Sequence, residues 1–156
     1  MSIFFISDLH LGHKSILNFS PNRGGHNIYE HDEWVIDSIN SLVGKRDVLY
    51  ILGDLVFDRE KLPFLGRIKG QKFFVLGNHD KFPVEEYMKY GTVRSGIYKY
   101  KGLWLTHCPI HPAELRDKKN VHGHVHNNSL EDRMYVNVCV EALHGRPISL
   151  EQVRDR

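Results

Sequence analysis

Three short apolar runs, Ile3-Phe4-Phe5-Ile6, Asp47 to Leu52 and Lys72 to Leu76, restrict this chain more than any other feature. Beyond its first residue, each is a continuous apolar stretch rather than an alternation with polar residues. Neither face of the strand it would form can therefore be left to water. Strands buried on both faces belong to a sheet covered by structure on each side. The intervening stretches are long enough for crossovers. Trp34, Val35, Ile39, Leu42 and Val43 recur at helical spacing, behind acidic Glu30, Asp32 and Glu33 and ahead of Gly44-Lys45, which predicts a helix between the first two strands. A second helix is expected between Arg59 and Ile68, with Pro63 in its first turn or breaking it. A third is expected from Val84 to Tyr90, with Pro83 at or just before its first position.

From about Tyr98 the pattern changes to closely spaced short strands. Ile97 to Lys101 and Leu103 to Thr106 flank a turn at Gly102. Val121-His122 and Tyr135 to Val140 follow, joined by a polar loop around Asn127-Asn128-Ser129, and Ser149 to Arg156 forms a short terminal helix. A βαβαβ start with an antiparallel or mixed β-rich end fits two sheets packed face to face with helices outside. At 156 residues, 41% of them apolar, residues 1–156 read as one domain with its own core and without repeats or linkers. No apolar run approaches the roughly 18 residues of a membrane span, so no membrane partner is expected. A balance of 21 basic against 19 acidic side chains does not announce a nucleic-acid surface. Cys108 and Cys139 cannot build a disulfide framework, and Met1 to Ser7 lacks the basic region and cleavage site of a signal peptide. A reducing cytoplasm is the default expectation.

Each buried run ends in residues that packing does not ask for. Asp8-Leu9-His10 follows the first, Gly53-Asp54 the second and Gly77-Asn78-His79-Asp80 the third, and His107 and Gly123-His124-Val125-His126 come later. In open α/β sheets ligands lie beyond the carboxyl ends of strands, where these motifs fall. Alone, Gly53-Asp54 or Asp8-Leu9-His10 would be an ordinary polar turn. Together they supply imidazole, carboxylate and amide donors for two neighbouring divalent ions, and the absence of a thiolate cluster argues against structural zinc. A carboxylate bridging two cations about 3.5 to 4 Å apart suits in-line displacement at phosphorus.

The ordered set Asp-x-His, Gly-Asp, Gly-Asn-His-Asp, His and Gly-His-x-His, from Ile6 to His126, resembles the calcineurin-like metallophosphoesterases, and the spacing and small size are similar to their compact bacterial and viral members. The resemblance implies an α/β fold, a four-layer α/β/β/α sandwich of two mixed sheets flanked by helices. It implies hydrolysis of phosphomonoesters or phosphodiesters by hydroxide generated between two metals. Mn²⁺ is the first expectation, with Fe, Zn or Ni as alternatives. By the same resemblance Asp8, His10 and His126 hold one metal, Asn78, His107 and His124 the other, and Asp54 bridges and is catalytic. His79 is then the general acid.

The protein Ser/Thr phosphatases of this superfamily carry a Gly-Asp-x-Val-Asp-Arg-Gly motif. Here Gly53 to Glu60 has an extra residue before Asp58, and Glu60 stands where Gly is wanted. That departure weakens the protein-phosphatase reading and leaves Asp58 and Asp80 as rival orienting partners of His79. The expected partner is a small phosphate ester. A nuclease is not favoured, because a chain of this size offers little for a long cationic groove, and a non-catalytic interaction module on the same fold is disfavoured by the intact motifs. Oligomeric state is open, and specificity would come from loops such as Phe19 to Tyr29 and Ile110 to Asn120. Lys14, Arg23 and Arg94 are candidates to hold phosphate, and His13 is either a substrate contact or a surface residue near the cleft. His111 flanks a motif residue, His122 reads as a core or interface residue and Cys108 as a small buried one. His26, His31 and His144 have no partner legible in the sequence.

Overall fold

A computed structural model describes all residues from Met1 to Arg156. The apolar runs become β1 (Ile3–Ile6), β2 (Val48–Ile51) and β3 (Gln71–Phe74), which with β4 (Thr92–Val93) lie parallel in a sheet. A short antiparallel strand, β9 (Ile148–Ser149), pairs with β1, giving the order β4-β3-β2-β1-β9. Side chains alternate across this sheet and are buried on both sides. Ile6, Leu49, Ile51 and Phe74 face a core shared with the helical layer, including Val35, Ile36 and Ile39, whereas Phe5, Tyr50 and Phe73 face a core shared with the second sheet.

The second sheet runs β5-β6-β7-β8, from β5 (Ile97–Tyr100), β6 (Leu103–Thr106), β7 (Asn120–His122) and β8 (Tyr135–Asn137). The β5–β6 pair is an antiparallel hairpin, and β6, β7 and β8 are parallel. Leu103, Leu105, Val121 and Val136 fill the space between the sheets. The molecule therefore has the α/β fold of two mixed sheets flanked by helices. The layer outside the second sheet is thin: a 3-10 turn, Pro112–Glu114, leads to Leu115, whose carbonyl accepts from the Trp104 indole at 3.0 Å.

Register positions the site. Ile6 pairs with Ile51 and Ile51 with Phe74, so the three central strands end level and their following loops emerge side by side. A parallel bridge between Ser7 and Cys139 then stitches the two sheets together beneath those loops.

The helices depart from expectation in instructive ways. The helix between the first two strands is α2 (Ile28–Asn40), and Asn27 caps it by accepting from the Glu30 N–H. The segment after β2 is a 3-10 helix, Arg59–Arg67, with Pro63 inside, because proline supplies no N–H to an α-helical ladder. α3 spans only Val84–Met88, with Pro83 at its N-cap. The terminal helix α4 (Leu150–Asp155) begins one residue later than expected, behind a capping box formed by Ser149 and Gln152. α1 (Ile16–Phe19), β4 and β9 are too short to leave a periodic signal.

Candidate metal centre

The loops that leave the strands are bent back sharply. Asp8, His10, Asp54, His124 and His126 all adopt positive φ, between 50° and 70°. That region is uncommon for residues with a Cβ and clusters at functional sites. The first two loops are laced together by backbone bonds from Asp8 N–H to Gly53 O (3.0 Å) and from His10 N–H to Asp54 O (3.0 Å). Gly53 and Gly123 are needed for close approach. A Cβ on Gly53 would overlap the His107 ring, and one on Gly123 would overlap the Ser7 hydroxyl and the Asp8 carboxylate.

These bends gather all seven expected donor residues into two adjoining groups. In the first, His10 Nε2 lies 3.4 Å from Asp8 Oδ1 and 3.5 Å from Asp54 Oδ2, and His126 Nε2 lies 3.8 Å from Asp8 Oδ1. In the second, His107 Nε2 lies 3.5 Å from the same Asp54 Oδ2 and 2.9 Å from Asn78 Oδ1. His124 Nδ1 completes it, 3.1 Å from Asn78 Oδ1 and 3.3 Å from His107 Nε2. Two donors each about 2.1 Å from one cation stand about 3.0 to 3.4 Å apart, and these separations, from 2.9 to 3.8 Å, lie close to that range. Asp54 Oδ2 is the atom shared by both groups.

Satisfaction of the donors tests the fit. Asp8 Oδ1 and His10 Nε2 are buried without any hydrogen-bond partner, a state that normally costs free energy. His107 donates from Nδ1 to the Leu52 carbonyl at 2.7 Å, which leaves the Nε2 lone pair facing the Asn78 oxygen. His126 donates from Nδ1 to Glu141 Oε1 at 2.9 Å, which likewise frees its Nε2. Acceptors turned toward one another attract a cation. The titration behaviour agrees: burial pushes the carboxyls of Asp8 and Asp54 up, but the close approach of the His10 and His107 imidazoles outweighs it and holds both low. Burial lowers His10, yet Asp54 and Asp8 raise it overall, so positive charge is favoured between these carboxylates. The residues fit a pair of divalent ions.

The model of the calcineurin-like phosphoesterase family matches residues 1–151. The chain belongs to that family. It is 32% identical to the uncharacterized protein MJ1445 of Methanocaldococcus jannaschii, over 97% of this chain and 88% of that one. It is 28% identical to the gene 66 protein of Mycobacterium phage L5, over 97% and 92% of the two chains. The crystal structure of AQ665, a protein of unknown function from Aquifex aeolicus, superposes with a TM-score of 0.79 at 25% identity, covering 99% of this chain and 98% of that one. A phosphoester hydrolase dependent on divalent metal is the activity this family carries.

Around the donors, this calcineurin-like phosphoesterase assigns several residues differently from the sequence reading. Neither Asp58 nor Asp80 hydrogen-bonds to the His79 ring; both carboxylates are engaged elsewhere. Asp58 caps the 3-10 helix by accepting from Glu60 N–H at 3.1 Å. Asp80 accepts from the N–H groups of Asp54 (2.7 Å), Leu55 (2.8 Å) and Gly77 (2.8 Å), clamping two motif loops together, and burial pushes its carboxyl up to about 6. His79 is exposed; its N–H donates to Asp54 Oδ1 at 3.0 Å, and its ring centroid lies 4.9 Å from Phe57 and 6.3 Å from His10.

Arg23 is not free to bind phosphate. It is buried, donating to the carbonyls of Asp8 (2.6 Å) and Leu9 (3.0 Å) and to Glu141 (2.8 Å). Arg94 lies against the rings of Phe73 and Tyr98, between the sheets, and Lys14 stays on the surface. His13 supports a ligand: its Nδ1 is 3.2 Å from His10 Nδ1 and its ring stacks on Phe57 at 4.2 Å, while burial and the nearby His10 push its pKa down to about 4. His122 is a core residue packed on Tyr135. His31 is also buried, 2.9 Å from Asp32 and 3.1 Å from Arg23. Cys108, expected to be buried, is exposed, with its sulfur within 4.8 Å of the donor atoms of His107 and His124.

Two contributors escaped the sequence reading. Glu141, buried in the turn that follows β8, accepts from His126, Arg23 and Ser20, and Ser7 donates to Asp8 Oδ2 at 2.6 Å. The only hint of Glu141 in sequence was a carboxylate directly after the apolar stretch ending at Val140.

Proposed function

We propose that this protein hydrolyses small phosphate esters at two divalent ions, Asp8, His10 and His126 holding one, Asn78, His107 and His124 the other, and Asp54 both. The observation that carries this reading is the gathering of seven donor residues into two groups that meet at Asp54 Oδ2, with buried polar atoms of Asp8 and His10 unpartnered beside it. When bound, the cations supply Lewis acidity at phosphorus and lower the pKa of water. The chain's own residues do the rest. Asp54 keeps the two positions adjacent, Glu141 and the Leu52 carbonyl fix the tautomers of His126 and His107, and Asp80 holds the loops in register. His79, exposed, with its ring 6.3 Å from that of His10, would protonate a departing alkoxide. Mn²⁺ is the metal first to be tried.

The test is turnover of nitrophenyl phosphate and bis-nitrophenyl phosphate by protein loaded with Mn²⁺ or Ni²⁺, alongside metal stoichiometry. Two ions per chain, and loss of turnover in Asp54→Asn, are expected. Inert protein that holds two ions, or activity indifferent to Asp54→Asn, ends the proposal.

A further inference from the structure

The cavity beside the centre is built from more rings than phosphate chemistry requires. It measures about 580 Å³, and its inner wall is formed by His10, His79 and His126, whereas Asn78, His107 and His124 take no part in it. Leading outward from His79, the rings of Phe57, His13 and Phe19 follow one another at centroid separations of 4.9, 4.2 and 6.0 Å. Phe19 closes the file at the end of α1. Its side chain is 72% exposed, so it contributes little to the core. Asn127 and Asn128 border the same cavity; the first is held by the Asn22 amide at 3.0 Å, and the second leaves its carboxamide unbonded.

This composition discriminates between substrates. No lysine or arginine lines the cavity, so it cannot neutralise a second phosphate or track a nucleic-acid backbone. Rings offer dispersion and stacking to a flat partner, and the amides offer donors and acceptors to its edge. The volume falls within the roughly 300 to 1,000 Å³ of small-molecule sites and exceeds what a phosphate alone would fill.

We propose that this cleft holds a planar aromatic group of the substrate, so that the enzyme acts on phosphate esters carrying a nucleobase or an aryl ring in preference to esters of sugars or alkyl alcohols. The assignment rests on the phosphoesterase reading above, and the experiment separates the two. Phenylphosphonate and methylphosphonate share a headgroup that cannot be hydrolysed, so calorimetric Kd values on Mn²⁺-loaded protein measure the cleft without turnover. Phenylphosphonate is expected to bind about tenfold more tightly, within the range of stacking on one aromatic side chain. Phe19→Ala should erase most of that preference and Phe19→Trp should restore it.

Inhibition by adenosine 5′-monophosphate against ribose 5-phosphate extends the comparison to a nucleobase, with the same direction expected. Equal affinities for the two phosphonates, or a preference that Phe19→Ala leaves untouched, overturn the assignment even if every ester is hydrolysed. An aromatic preference in protein that hydrolyses nothing upholds the cleft and removes the phosphoesterase reading instead.

Discussion

Replacing Glu141 by glutamine removes a charge that lies in none of the motifs. Glu141 is 2% exposed and receives hydrogen bonds from His126 Nδ1 (2.9 Å), Arg23 Nε (2.8 Å) and Ser20 Oγ (2.8 Å). Burial pushes its carboxyl up, but His126, Arg23 and Ser20 outweigh burial and bring it from 4.5 down to about 2. A folded pKa below the unfolded one means that ionisation stabilises the native state above about pH 4.5, and that this stability disappears as pH falls toward 2. The shift corresponds to about 3 kcal/mol at neutral pH. In Glu141→Gln, Arg23 keeps its carbonyl partners but loses its only ion pair while remaining buried.

His126 would also exchange the carboxylate that fixes its tautomer for a neutral amide, and loss of the carboxylate behind a metal-binding histidine weakens metal binding by about 10- to 100-fold. Urea unfolding of the metal-free protein should show the variant less stable by about 3 kcal/mol at pH 7, with the gap narrowing below pH 4. Competition with a chromophoric chelator should show one of two Mn²⁺ ions weakened. A gap that is constant from pH 7 to pH 3, or two unchanged metal affinities, would refute the assignment of Glu141 as the carboxylate that orients His126.

Three further outcomes follow from the same geometry. In Gly123→Ala the new methyl overlaps Ser7 and the Asp8 carboxylate, so bound metal should fall below two per chain by elemental analysis, with stability reduced by about 2 kcal/mol; retention of both ions contradicts the close packing described. Asp80→Asn replaces an acceptor of three backbone N–H groups by an amide with one oxygen, which should cost on the order of 2 kcal/mol and speed hydrogen exchange at Asp54, Leu55 and Gly77; unchanged protection there would deny the clamp. His79→Ala should lower kcat by about 100-fold on alkyl phosphates and much less on nitrophenyl phosphate, whose leaving group needs no proton; equal losses on both would exclude His79 as the acid.

The sequence by itself determined the two-sided burial of β1 to β3, because continuous apolar runs admit no solvent face, and it placed the donor motifs directly after those runs. It also determined the donor types, since the identity of a side chain fixes which lone pairs it can offer. The left-handed turns at Asp8, His10, Asp54, His124 and His126 carry no local signature, for ordinary residues hold that conformation only when surrounding bonds impose it.

Tertiary structure alone decided the roles of Arg23, Asp80, Glu141, His13 and Phe57. Arg23 lies 118 positions from Glu141, and no periodicity along the chain foretells which buried carboxylate a buried guanidinium will meet. β4 and β9 are two residues each; they exist because neighbouring strands offer unpaired backbone groups, which is a property of the assembled sheet and not of the segments that join it.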